Sequence, residues 1–219
     1  MVGLDLPQRV VRATVAATTP GPHITHTAIF GEGIALRQKR DGAFYIAPNV
    51  MADYDVTLDS LRHLSLFLRN FRRVRRNLSI HVGRELLGDV LRALPWSSSR
   101  RHPFAHTVGV EPMANMKHVE MSRKSLVKLI PSLGNIGIQR VWAGRIDASP
   151  DAMPVLGEVP GLKGFVFATG FSGHGFAMGP AAGLVVSELI LDGKASVDTH
   201  PFRYSRFKEK DMADWTKTI

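Results

Sequence analysis

Residues 164–190 read GFVFATGFSGHGFAMGPAAGLVVSELI, with glycine at 170, 173, 175 and 179 between a short apolar run and a longer apolar block. Glycine at such spacing lets a backbone take positive φ and approach a ligand without a Cβ in the way. The amides that open a following helix make a ready anion site. GFVFAT has the continuous apolar character of a strand covered on both faces, as inside a parallel sheet. Pro180 suits a first helical turn and Gly193 the residue after the last, which predicts a helix over 178–192. The glycine spacing is G-x-G-x-x-x-G, unlike the G-x-G-x-x-G of a dinucleotide fingerprint. Nor is there a following strand or an acidic residue about 20 positions on to hold a ribose. Two readings remain: glycines that serve tight helix–sheet packing, and the closing strand and helix of a cofactor domain whose first part lies elsewhere. The second is preferred.

Other residues with chemical potential are more scattered. Arg37 and Tyr45 fall on two strand-like runs, 33–39 and 43–48, that flank Arg40, Asp41 and Gly42. Asp-Gly between such runs is a strong hairpin signal, so both side chains are candidates for one face of a substrate pocket or for sheet packing. His23 and His26 have a metal-like spacing without a third ligand, and read as two histidines on a loop. His174 sits within the glycine turn, where the neighbouring amides are the better ligands.

Strands and helices must position these residues. QRVVRATVAATT (8–19) is a β-branched strand ending at PGP, and 106–112 and 136–144 are further strands with a helix at 122–130 between them. Residues 59–78, DSLRHLSLFLRNFRRVRRNL, place Leu61, Leu64, Leu68, Phe71, Val74 and Leu78 on one helical stripe, with Asp59 as N-cap and five arginines largely off it. LLGDVLRAL (86–94) extends the helical pattern, and 144–161 is proline- and glycine-rich, an irregular crossing. The fold class is α+β: a mixed, largely antiparallel sheet with helices over 1–142, then a C-terminal strand-turn-helix of an incomplete cofactor domain over 143–193, then a tail over 194–219.

Composition narrows the class. At 219 residues, 44% apolar and 21% charged, the chain can bury one substantial core. It has no run of ~18 apolar residues and no secretory-type opening, which points to the cytoplasm and to no membrane span. Without cysteine there are no disulfides, zinc–cysteine sites or thiol nucleophiles. The formal charge of +9 gathers at the arginine-rich helix. A solvated basic face is the simplest account, nucleic acid is disfavoured, and the alternative function is a non-catalytic binding or partner module built on that helix.

WAGRIDASPDAMPVLG (142–157) followed by GFVFATGFSGHGFAMGPAAG (164–183) resembles the flavin-dependent D-amino-acid oxidase superfamily, in particular its D-amino-acid dehydrogenase, glycine oxidase and sarcosine oxidase β-subunit branches. Weaker likeness runs through LRQKRDGAFYIAP (36–48) and EPMAN (111–115). The resemblance implies an FAD cofactor, an amino-acid or N-substituted amine substrate oxidised by hydride transfer, and a flavin-side wall of Gly170, Phe171, Ser172, Gly173, His174, Gly175 and Phe176, with Met178 and Gly179 behind. It also implies that the chain begins inside the substrate domain, without the N-terminal Rossmann βαβ, so that it binds FAD poorly alone or is completed by a separate FAD-binding chain. Several branches hold the substrate carboxylate with an arginine two positions after Trp-Ala-Gly. Here that position is Ile146, with Arg145 adjacent but on the opposite strand face.

Overall fold

Alternating buried and exposed side chains shape the first part of the chain. In the computed structural model, which describes residues 3–49, 51–94, 96–97 and 109–214, the strands β1 (Arg9–Thr18), β2 (Ile29–Gly31), β3 (Ile34–Gln38), β4 (Phe44–Pro48), β5 (Ala52–Asp55), β6 (Leu78–His81) and β7 (Ile138–Ala148) form a seven-stranded sheet. Its order is β2-β3-β4-β1-β5-β6, with β7 also paired to β1. The β2–β3, β3–β4, β4–β1 and β1–β5 pairs are antiparallel, and β5–β6 is parallel. The fold is therefore mixed α+β with a largely antiparallel sheet, as expected.

The β3–β4 hairpin forms where Asp41-Gly42 signals it. Gly42 takes φ +86°, and a Cβ there would lie 2.6 Å from the Gly21 carbonyl oxygen. Both the dihedral and the close approach require glycine.

The described residues divide into two compact units, Val11–Leu58 with Arg75–Arg145, and Met1–Val10 with Asp59–Val74 and Ile146–Ile219. In the first of these, α3 (Arg84–Ala93) forms where 86–94 carried the helical pattern, and α4 (Met116–Leu129) covers one face of the sheet. Ala16, Ile34, Leu36, Phe44 and Ile46, which alternate along their strands, pack with Val119 and Leu126 of the helix and with Leu133 and Ile136. The helix begins six residues before the expected start because Asn115 caps it, accepting from the Lys117 amide at 3.0 Å. The same side chain donates to buried Asp53 at 2.7 Å, and the Asn115 amide donates to Thr14 at 2.9 Å. The expected strand over 106–112 is not formed at 109–112, and 106–108 lie outside the described residues.

The second unit is built on a smaller frame. β8 (Val155–Glu158) and β9 (Val166–Thr169) form a two-stranded antiparallel sheet against which α5 (Gly175–Leu191) packs. β9 is thus neither in a parallel sheet nor buried on both faces, its residues being half-buried or exposed. The crossing at 144–161 likewise contains the end of β7 and all of β8. Val155, Val159, Tyr204 and Phe207 form the core, with Leu66, Phe165 and Phe167 against it.

The basic helix departs from its sequence pattern. It is broken into α1 (Leu58–Arg62) and α2 (Leu64–Val74), followed by a tight turn over 75–77. α1 starts at Leu58, so Asp59 lies in the first turn and is not the cap. Among the described side chains Ser60, His63 and Phe67 are buried, while Leu61, Leu64 and Leu68 are exposed. The break at His63, whose imidazole meets Asp5 at 3.1 Å, shifts the buried face. No described helix is long and apolar enough to cross a membrane.

The C-terminal segment, expected as a tail, carries a buried ion pair. Arg206, on α6 (Arg206–Glu209), is fully buried and grips Asp151 through Nε at 2.8 Å and Nη2 at 3.0 Å. Its remaining donors go to the carbonyls of Phe202, Arg203 and Met153. Removing one partner of such a pair leaves the other charged and dry, so Arg206→Ala should lower unfolding stability by about 3–5 kcal/mol in urea titrations, and Asp151→Leu/Arg206→Met by much less.

Arg203 bridges the exposed carboxylates of Glu209 and Asp211. The guanidinium holds Asp211 below the usual carboxylate range, and the Ser205 hydroxyl and then Arg203 do the same for Glu209. Stabilisation from a lowered carboxylate is present above its unfolded value and is lost as pH falls through its folded value. Amide protection across 206–209, corrected for intrinsic exchange, should therefore hold at neutral pH and drop in acid below the ordinary aspartate range.

Candidate functional site

The glycine turn of the second unit is held by one carboxylate. Asp147, near the end of β7, accepts through Oδ2 from the Gly170 amide at 2.8 Å, the Thr169 hydroxyl at 3.2 Å and the Gln8 side-chain amide at 3.2 Å. Its backbone carbonyl accepts from the Ser172 amide at 3.0 Å, and Ala148 and Phe171 form an isolated antiparallel bridge. These bonds force the chain to reverse sharply after β9. Gly170, Ser172 and Gly173 take φ of +69°, +52° and +93°. Ser172 tolerates this because its hydroxyl donates to the Gly170 carbonyl at 3.1 Å and accepts from the Ser149 amide at 3.2 Å.

α5 starts directly after this turn, three residues earlier than the sequence pattern suggests. The helix therefore contains Pro180 in its interior. Proline forfeits one bond to Phe176 there and normally clashes with the Cβ of the residue before it; Gly179 has none. The first helical bond runs from the Met178 amide to the His174 carbonyl at 3.0 Å, and His174 makes no side-chain cap. The amides of Gly175, Phe176 and Ala177 thus open the helix without a capping side chain, at the positive end of its dipole. Phe176 is wholly exposed.

Gly170, Phe171, Ser172, Gly173, His174 and Gly175 are brought together in one turn, with Phe176, Met178 and Gly179 on the first helical turns. The residues that hold it, Asp147, Gln8 and Ser149, were not singled out as site residues. Asp147 lies within the WAGRIDASPDAMPVLG motif; Gln8 carried no signal, because its contact spans 161 positions to Thr169.

The outer face of the large sheet belongs to the other unit. Arg37 and Tyr45 are directly opposite each other on β3 and β4, and both are exposed. They line a depression of about 320 Å³ together with Val15, Phe30, Ala35 and Ala47. Trp142, which the sequence did not flag, meets Tyr45 edge-on at 5.7 Å, with Arg140 over its ring at 5.5 Å. Among the described residues the Arg37 guanidinium has no hydrogen-bond or ion-pair partner. Arg145 differs: it donates to the Val110 carbonyl at 2.9 Å, a contact that fastens the segment leading to α4.

With this geometry in hand, comparison with known proteins identifies the family. Residues 1–189 match the model of the DAO family, described as FAD dependent oxidoreductase, and the chain belongs to that family. It is 37% identical over 84 residues to bovine (Bos taurus) FAD-dependent oxidoreductase domain-containing protein 1, a match covering 37% of this chain and 17% of that protein. It is 29% identical over 135 residues to N-methyl-L-tryptophan oxidase of Salmonella arizonae, covering 61% of this chain and 32% of that enzyme. Among solved structures, L-amino acid deaminase from Proteus myxofaciens superimposes with a TM-score of 0.82 at 22% identity, covering 94% of this chain and 46% of that one. The chain thus spans less than half the length of these relatives. FAD is the family's cofactor, and an uncapped helix start beside a turn with no bulky side chain at its glycines fits a group with a polar, electron-accepting ring.

Asp147→Ala strands three donors at the turn and should cost about 1–3 kcal/mol, with faster amide exchange at Gly170 and Ser172. Gly173→Ala should cost about 1–2 kcal/mol from its left-handed φ, although its nearest side-chain atom, on Ile146, is 3.8 Å from the added Cβ. Denaturant midpoints of both variants check this.

Proposed function

We propose that the chain supplies the substrate-binding sheet and the flavin-side turn of an FAD-dependent oxidoreductase acting on an amino acid or N-substituted amine. The substrate gives up a hydride from its α-carbon and a proton from its nitrogen, leaving an imine. FAD, when bound, supplies the two-electron acceptor. The observation that carries the substrate assignment is Arg37: a guanidinium without a protein partner among the described residues, at the edge of a small apolar depression, is suited to hold a carboxylate bidentately. Tyr45 can donate a further hydrogen bond, and a volume near 320 Å³ is at the small end of ligand pockets, suited to a ligand of amino-acid size. Arg145, engaged by Val110, serves as a secondary carboxylate contact only if that bond is given up.

On the flavin side, the amides of Gly175 and Phe176 and the helix dipole favour negative charge on a reduced ring, while Gly170 and Gly173 present no Cβ to it. The rest of the FAD site is attributed to a complementary FAD-binding polypeptide. The character of α5 supports this: it is apolar on nearly every side, yet Ala182 and Val185 are its buried residues while Leu184, Ile190 and Leu191 are exposed. Helices apolar all round are ordinarily covered on all sides.

The test combines the chain with FAD and a complementary FAD-binding polypeptide and follows flavin absorbance on anaerobic addition of amino acids. Substrate-dependent bleaching is expected. Arg37→Met should retain flavin yet need about 10- to 100-fold more substrate, the worth of a charged hydrogen-bonded pair. Unchanged substrate dependence in that variant would remove Arg37 from the site.

A further inference from the structure

We infer that His23 and His26 form a two-imidazole chelate for a divalent transition metal such as Cu(II) or Ni(II). The argument uses one loop of one unit and is independent of the flavin reading. The two Nε2 atoms stand 2.8 Å apart, with ring centroids at 4.1 Å and planes tilted by 58°. Both side chains are exposed.

Which nitrogen of His23 carries the proton is dictated by Gln38. That side chain is buried, and its Nε2 donates to the Pro22 carbonyl at 2.8 Å and the Gly42 carbonyl at 3.0 Å. Its oxygen therefore faces the other way, where it accepts from the amides of Ile24 at 2.7 Å and Thr25 at 3.2 Å. His23 Nδ1 lies 3.2 Å from the same oxygen and can only donate to it. The Nε2 of His23 is consequently a bare lone pair, aimed at His26. A ring N–H held by an amide oxygen is the arrangement that fixes orientation and raises basicity in metal-bound histidines.

With its proton on Nε2, the His26 ring would donate into that lone pair. With the His26 ring proton on Nδ1, the pair presents two lone pairs to one ion. Ligands ~2.0 Å from a metal stand ~2.8 Å apart at a right angle and ~3.3 Å apart at the tetrahedral angle. The 2.8 Å separation leaves either arrangement within reach of small rotations of the two exposed rings, and divalent first-row affinity at nitrogen sites rises through Ni(II) to Cu(II). Among the described residues no group of three or more His, Cys, Asp or Glu comes together, so water completes the sphere. Binding would also fasten 23–26, immediately before the Ala28–Phe30 segment that lines the depression beside Arg37.

Titration of the full chain with CuCl2 or NiSO4, by calorimetry and, for Cu(II), by electron paramagnetic resonance, tests the site. The expected result is one strong site whose Cu(II) spectrum carries two imidazole nitrogens, with affinity falling at least about tenfold in His23→Gln and in His26→Gln while circular dichroism is unchanged. Equal affinity and an unaltered spectrum in the double variant overturn the assignment. So does a wild-type spectrum whose nitrogen count differs from two, a result that needs no variant to fold.

Discussion

A guanidinium and a carboxylate with almost no solvent access stabilise a fold only when every donor and acceptor has a partner. Arg206 and Asp151 meet that condition: two bonds join them, and three carbonyls take the remaining guanidinium donors. The pair fixes the loop between β7 and β8 to the C-terminal segment. From Asp151 the chain of bonds continues, since the Ser149 hydroxyl donates toward Asp151 and the Met153 carbonyl and the Ser149 amide donates to Ser172. The conformation of the glycine turn thus depends on residues that lie more than thirty positions beyond it.

A turn that must approach a ligand closely gives up side-chain packing at its own residues, so its order has to come from outside. Asp147 supplies it with one carboxylate oxygen and one carbonyl, pinning both ends of Gly170–Ser172. This division explains why α5 can begin without a side-chain cap. The free amides cost little when exposed to water or paired with a ligand's acceptors, and the bonds that keep them aimed lie on the other side of the turn.

Much of this was legible in the sequence, and the exceptions have physical causes. The β3–β4 hairpin was readable because Asp41-Gly42 is a local device, and Gly193 ends α5 as its φ of +69° allows. The apolar stripe of 59–78 misled because a helical pattern assumes an unbroken helix, and the interruption at His63 rotates α2 relative to that stripe. GFVFAT suggested a strand covered on both faces from hydropathy alone, yet pairing is non-local and β9 meets only β8 among the described strands. Asp151–Arg206 and Gln8–Thr169 could not be read at all, because nothing in composition or spacing joins residues so far apart. The start of α4 was missed for a related reason: Asn115 caps it while also bonding to Thr14 and Asp53, distant partners that make the position rigid.

The arginines illustrate how function separates from structure within one residue type. Arg206 has committed every donor to the protein and is dry. Arg12 is bound to Asp55 through two bonds and to the Met113 carbonyl through a third. Arg145 has given one nitrogen to Val110. Arg37 has given none among the described residues, and it lines the same depression as Tyr45. A guanidinium is costly to hold in place because its stem has many rotamers, and only the bonds it makes offset that cost. In a basic chain, formal charge therefore says little about which cation binds a ligand. Uncommitted donors alone do not decide it either, since Arg40 and Arg140 also make no hydrogen bond or ion pair among the described residues; what supports the proposed role of Arg37 is its place with Tyr45 in the lining of the depression.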